Sequence, residues 1–541
     1  MKKYLLPTFV MMGVALGLFM GLSLSQQAKA ERIVYQNGQW QLEQESKIEQ
    51  LLQLMENAYV DDLNIDSITD EAMTELVQKL DPHSAYIPKE DLEMVNSELA
   101  GSFPGIGVQF TIQQDTVRIV AVISGGPSEG MGVLAGDKLV TVDDSLFVGK
   151  KITNEKVMKT LRGEKGTQVK LGIMRAGAKD MLHFTITRGD IPINSVDAKF
   201  IVGGKSKSNI GFVRVNKFGE TTYREFITAL VELRSKGATK YIVDLRENSG
   251  GYMDQAIMMA NEFLRRGDMI VYAEGKAYPR FEAKADGSGR FKDVPFVVLI
   301  DNFSASASEI FAGAMQDNDR AIIIGRRSFG KGLVQQQIPF DDGSAVRLTV
   351  ARYYTPSGRS IQKPYKMGEL DDYEHELLDR FEHGEFYTAD SIQFSDTTTY
   401  RTKKGRIVRG GGGIMPDVFV GRDTTLNTPY YNMVVNLAYT YQFAYQYTDK
   451  HRKELSKFTD WQAMEKYLLK QNIIREFVAF AKEKGVEPNE AEIEKSRPLL
   501  TRLLNAYIVR DLLGDDGFFP LFERDDEITK KAVELLSGER L

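Results

Sequence analysis

The spacing of apolar and polar positions changes several times along the chain. Between residues 48 and 80 apolar residues recur at three- and four-residue steps (Ile48, Leu51, Leu52, Met55, then Ala72, Met73, Leu76, Leu80), which predicts helices. From about Leu99 to Arg188 the period drops to two. Val108, Phe110 and Ile112 alternate, as do Val117 and Ile119, then Val169, Leu171 and Ile173, so this stretch reads as strands, with one short helix at 153–161. Beyond Asp190 come mainly apolar runs that read as strands at 210–215, 241–245, 294–300 and 321–324, separated by helical patterns such as 222–233 and 254–264. Strands alternating with helices predict an α/β core. Helical periodicity returns at 461–484 and 499–513, after an aromatic-rich stretch at 430–447.

The chain has 541 residues, too many for one core. The pattern changes divide it at 1–30, 31–97, 98–190, 191–422 and 423–541, a multidomain α/β and α+β protein with a helical N-terminal segment and a helical C-terminal region. Residues 364–405 are acid-rich and read as an insertion running over the surface of the 191–422 unit. The first thirty residues stand apart: Lys2 and Lys3 precede an apolar run at 5–24, followed by Ala28-Lys29-Ala30. That is the layout of a cleaved signal peptide, with an uncleaved membrane anchor as the alternative. The expected location is the periplasm or cell envelope. There is no cysteine, so there are neither disulfides nor a lipoprotein anchor. A net charge of −6 gives no footprint for nucleic acid. Phosphate-loop and dinucleotide motifs are missing, and His375 and His383 in the acidic insertion lack metal-ligand spacing, so neither cofactor nor metal is expected.

The chemistry concentrates in residues 294–335. A predicted buried strand ends at Asp301-Asn302, three serines alternate at 304, 306 and 308, a helical pattern follows, and a second strand leads to Gly330-Lys331-Gly332. Ser306 with Glu309 three residues on matches a helix capping box, so the serine has a structural reading as well as a catalytic one. None of the five histidines (83, 183, 375, 383, 451) lies in this stretch. A serine–histidine enzyme would have to recruit one from elsewhere. A serine–lysine enzyme needs none, provided burial brings the lysine towards neutrality. Asp317 shares a helical face with Ser306, yet it lies eleven residues on, roughly 16 Å along the axis. A role at the helix end, paired with Arg320 or a backbone N–H, is therefore expected of it.

SASASEI (304–310), SFGKG and its following VQ (328–335), and DLRENSGG (244–251) resemble the C-terminal processing peptidases, or tail-specific proteases, over about residues 50–420. The resemblance implies a serine endopeptidase with a crotonase-like α/β core. Ser306 would be the nucleophile, Lys331 the base and Gln335 its support. If the strand starts at Lys331, alternation puts Gln335 on the same face. Gly250 or Gly251, with Ala307, would supply the oxyanion N–H groups. The family has proline where Ser249 stands. Residues 125–143 resemble the core of a PDZ domain, which implies capture of a protein or peptide C-terminus as an added strand. Phe103, Gly105, Ile106 and Gly107 would meet the tail, and Arg162 matches a further family position. His83, in Asp81-Pro82-His83-Ser84, is expected to be a structural turn residue. The alternatives are a catalytically silent PDZ scaffold of the envelope and an acyl-CoA enzyme. A homodimer or an adaptor protein would suit the C-terminal region.

Overall fold

The computed structural model describes residues 34–36, 39–41 and 46–538, apart from 114, 124, 135, 176, 203–208 and 395–397. The expected signal peptide, residues 1–30, lies outside the described residues. The chain divides into two compact units, one ending at Leu80 and one running from Asp81.

The first unit contains helices α1 (Lys47–Ala58) and α2 (Ile65–Gln78). Ser46 caps α1, with the Glu49 carboxylate reaching back to the Ser46 N–H at 2.9 Å. Asn64 caps α2 through its side chain. The segment read as 31–97 is therefore split. Residues from Asp81 on belong with the second unit, because Ser84 and Asp81 hydrogen-bond Thr349, and the strand Ala85–Ile87 pairs with residues 345–347.

In the second unit, helix α3 (Lys89–Leu99) leads into a PDZ sheet. Its strand order is Leu182–Thr187, Gln168–Met174, Lys138–Val142, Thr116–Val122 and β1 (Val108–Gln113). Val117, Ile119, Leu139, Val169, Leu171 and Ile173, the inward positions of the alternation, form its core. Thr153 caps helix α4 (Asn154–Leu161) over this core.

The larger sheet has the order β2 (Val196–Ile201), β3 (Ile210–Val215), β4 (Lys240–Asp244), β5 (Phe296–Ile300), β6 (Ile322–Gly325) and β9 (Val418–Phe419), all parallel except β2. Every residue of β5 is buried. The pleat sends Val213, Val243, Val298 and Ile323 to one side, against helices α5 (Thr222–Ser235), α6 (Met253–Asn261) and α7 (Ala307–Asp317). It sends Phe212, Ile242, Val297, Leu299 and Ile324 to the other side, where C-terminal helices cover them. Those helices include α9 (Tyr439–Leu455), α10 (Glu490–Leu513), α11 (Asp515–Glu523) and α12 (Glu527–Ser537).

A hairpin, β7 (Leu333–Pro339) and β8 (Ala345–Tyr354), follows β6. The acid-rich insertion is more than a surface excursion. Its helix α8 (Leu370–Glu382) buries Tyr373 and Arg380, and Arg380 donates to the carbonyls of Ser328 and Phe329 at 2.8 and 3.0 Å, just ahead of Lys331.

Candidate active site

Three turns at the carboxyl ends of β4, β5 and β6 bring the expected residues around one cavity of about 450 Å³. Ser249, Gly250, Gly251, Ser306, Lys331 and Gln335 all line it. The three alternating serines divide their work. Ser304 Oγ donates to the Leu245 carbonyl at 2.8 Å, and Ser308 Oγ to the Asn248 carbonyl at 2.9 Å, both fully buried. The outer pair thus latch the α7 turn onto the turn after β4 and leave Ser306 facing the cavity. Ser306 has φ +54° and ψ −113°, a strained backbone for a residue with a side chain. Its carbonyl accepts the N–H groups of Glu309 and Ile310, which starts the helix.

Glu309 completes the cap and does more than the capping pattern foretells. Its carboxylate accepts the N–H groups of Ser306 (2.8 Å), Gly330 (2.8 Å) and Lys331 (2.9 Å), and the hydroxyl of Ser328 (2.5 Å). Burial pushes its carboxyl up to about 7, against the pull of those four donors. On the other side, the Tyr353 hydroxyl lies 3.1 Å from the Ser306 carbonyl and 2.7 Å from the Lys331 carbonyl. One carboxylate and one phenol therefore set the backbone of Ser306 against the backbone of Lys331.

Lys331 Nζ donates to Gln335 Oε1 at 2.9 Å. Strand alternation accounts for this only in part. β7 begins at Leu333, and a bulge between Val334 and Gln335 shifts the register. Gln335 is aimed instead by its own amide, which donates to the His83 carbonyl. Burial, helped by the nearby Arg347 guanidinium, pushes the Lys331 ammonium down to about 8, while Asp81 and Glu309 pull the other way. Among the described residues no hydrogen bond joins Ser306 Oγ to Lys331 Nζ.

His83 sits in the expected turn, with its N–H on Asp81 Oδ1 at 2.9 Å and its ring nitrogen 2.8 Å from the Tyr373 hydroxyl. Burial and the Lys331 charge hold its imidazole down at about 3. It is thus a neutral strut beneath Gln335 across the ordinary pH range.

The two glycines differ. Gly250 N–H is taken by Asn248 Oδ1 at 2.9 Å, while Gly251 and Ala307 N–H have no acceptor among the described residues. Gly251 is therefore the free donor of the pair, and Gly250 is there for space. A Cβ on Gly250 would lie 2.7 Å from Ser306 Cβ, and its φ is +103°. Asn248 is the hub of this turn: it donates to the Val215 carbonyl, and its own carbonyl accepts Ala305 N–H. Asn248, Glu309, Tyr353 and Arg380 escape sequence reasoning. Only Glu309 carries a local signal, the cap.

Asp317 ends the unbroken α7, far from Ser306. Its partner is not Arg320, which instead donates to the carbonyls of Phe263, Phe291 and Val294. Asp317 pairs with fully buried Arg359 at 2.9 Å and accepts Ser357 N–H at 3.0 Å.

In the PDZ domain, β1 is the edge strand of its sheet, paired on one side only. Gly107 has φ +79° at the turn into it. Phe103 and Gly105 lie in a short strand paired with residues 189–192. Ile106 is 3% exposed and packs into the PDZ core, and its carbonyl accepts the Ser128 N–H at 3.0 Å, so its side chain is not offered to a tail. Arg162, the C-cap of α4, stacks 4.5 Å over the Phe103 ring and forms no ion pair among the described residues.

Residues 209–373 match Peptidase family S41, residues 104–186 a PDZ domain, and residues 430–514 a family of unknown function. A carboxy-terminal-processing protease of Bartonella bacilliformis is 37% identical over 353 residues, covering 64% of this chain and 78% of that protein. The carboxy-terminal processing protease CtpA of Bacillus subtilis is 36% identical, covering 60% and 69%. Among solved structures, a photosystem II D1 C-terminal processing protease is 26% identical over 70% of this chain and 93% of that one, with a TM-score of 0.36. The family models and the two sequence relatives support a serine peptidase rather than a silent scaffold or an acyl-CoA enzyme, and they lend no support to a homodimer or adaptor. With its PDZ domain, its α/β core and its helical C-terminal region, the chain belongs to the S41 peptidases, as a C-terminal processing serine protease.

Proposed function

We propose that the protein is an exported endopeptidase in which Lys331 is the general base for Ser306, and that its PDZ domain selects proteins by their C-terminal tails. The observation that carries this reading is a partly buried lysine, pushed down to about 8, lining the same cavity as a serine with a strained backbone. The other titratable groups there serve less well. Arg347 cannot give up its proton, and burial raises the Tyr353 phenol well above its ordinary value.

Neutral Lys331 takes the proton of Ser306 Oγ as the oxygen attacks the peptide carbonyl carbon. Gly251 and Ala307 N–H receive the oxyanion. Lys331, now an ammonium, protonates the leaving amine, and the acyl-serine is then hydrolysed by a water that gives its proton to Lys331, which returns it to Ser306 Oγ as the acyl C–O bond breaks. Gln335 holds the Lys331 amine between turnovers. The Ser306–Lys331 hydrogen bond forms when substrate fills the cavity, since catalytic bonds tighten in the bound complex. A substrate tail adds to β1, with its carboxylate on backbone N–H groups at 105–107 and the Arg162–Phe103 stack alongside.

Ser306→Ala is expected to stop cleavage of an unfolded reporter protein with an unchanged melting temperature, while Ser308→Ala keeps activity. The reverse ranking would sink the assignment. Export rests on Lys2, Lys3, the apolar run at 5–24 and Ala28-Lys29-Ala30. N-terminal sequencing of the protein recovered from the cell envelope should begin at residue 31. Recovery only from the cytoplasm, with Met1 retained, would refute it.

A further inference from the structure

A second cavity, of about 770 Å³, opens where the carboxyl ends of β4, β5, β6 and β9 meet the C-terminal helices. That is the position at which open α/β sheets take ligands. It is distinct from the catalytic cavity and shares no lining residue with it.

Its walls carry donors without acceptors. Asn302 is 4% exposed, yet its Nδ2 has no hydrogen-bond partner, and Arg502 Nε has none either. A buried donor left unmatched is costly, and such groups in a native fold call for an explanation. Arg326 and Arg422 join them on the wall. Arg326 comes no nearer than 3.9 Å to the Asp301 carboxylate, and Arg422 and Arg502 form no ion pair among the described residues. Burial lowers the Arg326 guanidinium from its ordinary value, and the charges of Arg246 and Arg422 push it the same way.

The acids of the same walls are already engaged. Asp526 is held by Arg246 at 2.8 Å and Glu247 by Arg214 at 2.6 Å. Asp301 accepts the N–H groups of Glu247, Phe303 and Ser304. Arg326 is partly engaged, by Asp301 and through its Nε on Asn302 Oδ1 at 3.5 Å, and Asp423 accepts the Thr425 N–H, while Arg422 and Arg502 have no ion-pair partner among the described residues. Two such guanidinium groups with a buried amide donor suit clustered anionic oxygens, which guanidinium binds through paired N–H groups.

We infer that this cavity binds a small multivalent oxyanion, a phosphate or a di- or tricarboxylate, between Asn302 Nδ2 and the guanidinium groups of Arg326, Arg422 and Arg502. Asn302 stands four residues before Ser306, so the occupant is gripped by the same turn that presents the nucleophile.

The test is calorimetric titration of the purified protein with inorganic phosphate and, separately, with citrate, at constant ionic strength maintained with chloride. One saturable site per chain is expected for at least one of them below about 10 mM, with the tighter anion naming the class. Arg502→Gln should weaken that binding about tenfold, and so should Arg422→Gln, whose exposed side chain can be changed without disturbing the fold. Both variants should keep the wild-type melting temperature in chloride alone. No saturable binding of either anion, or wild-type affinity in both variants, overturns the site.

Discussion

If Lys331 must be neutral to accept the Ser306 proton, the rate at limiting substrate follows the neutral fraction of that amine. With the ammonium pushed down to about 8, the fraction is roughly 9% at pH 7, half at pH 8 and roughly 91% at pH 9, so kcat/KM should climb about tenfold over two units. A lysine at its ordinary value would give a curve still rising at pH 10. Arg347 supplies the perturbation. After burial, its positive charge is what depresses the lysine most, so Arg347→Gln should move the midpoint upward and lower the rate at pH 7, with little change on the alkaline plateau. Because Arg347 is only partly buried, the wild-type midpoint should also rise with added salt, and the variant's should rise less. The assay is initial cleavage of a fluorogenic peptide, well below KM, from pH 6 to 10, with stability checked at each pH. A midpoint near 6.5 would mark a group other than Lys331, a histidine or the Glu309 carboxyl pushed up to about 7, and His83, held down at about 3, could not be its source. Either that midpoint, or an Arg347→Gln profile superimposed on the wild type, would refute the reasoning.

Asp317→Asn leaves Arg359 charged and unpaired in the interior, which should cost about 3–5 kcal/mol in urea unfolding while the pH midpoint of the residual activity stays put. A catalytic loss as deep as that of Ser306→Ala without destabilisation would place Asp317 in the site after all. Gly250→Ala puts a methyl group 2.7 Å from Ser306 Cβ at a backbone angle that disfavours any side chain, so a folded, soluble protein with activity down roughly a hundredfold is expected. Peptides ending in a free apolar carboxylate should be cut faster than their amides, and removing residues 98–190 should erase the difference. Equal rates in the intact enzyme would dispose of tail selection.

Much of this was legible in sequence because its causes are local. Period-two and period-three-to-four spacing located the strand at 210–215 and the helix read at 222–233 to within two residues, though the helix read from 499 begins nine residues earlier, and three short motifs named residues around one cavity. What escaped depends on contacts made across the fold. Glu309 reads as a cap from three residues of context, yet its other acceptor bonds go to residues 328–331, which only the β6–β7 connection brings near. Asp317 finds Arg359 forty-two residues on rather than the adjacent Arg320, whose guanidinium is claimed by three carbonyls. A bulge at Val334 defeats simple alternation, and Gln335 still reaches Lys331 because the His83 carbonyl turns its amide. In the acid-rich insertion, composition spoke for the exposed face of α8 and concealed Tyr373 and Arg380 on the other.

The covering of the larger sheet by helices from both directions sets a timetable. Phe212, Ile242, Val297, Leu299 and Ile324 find their neighbours in residues that follow 423, and Arg246, on the turn that carries Gly250, is held by Glu523 and Asp526. While the chain is being synthesised, that face stays bare and Arg246 lacks two of its three carboxylate partners until the helices between Pro429 and Ser537 arrive. The motifs for nucleophile and base emerge long before the layer that makes their scaffold whole.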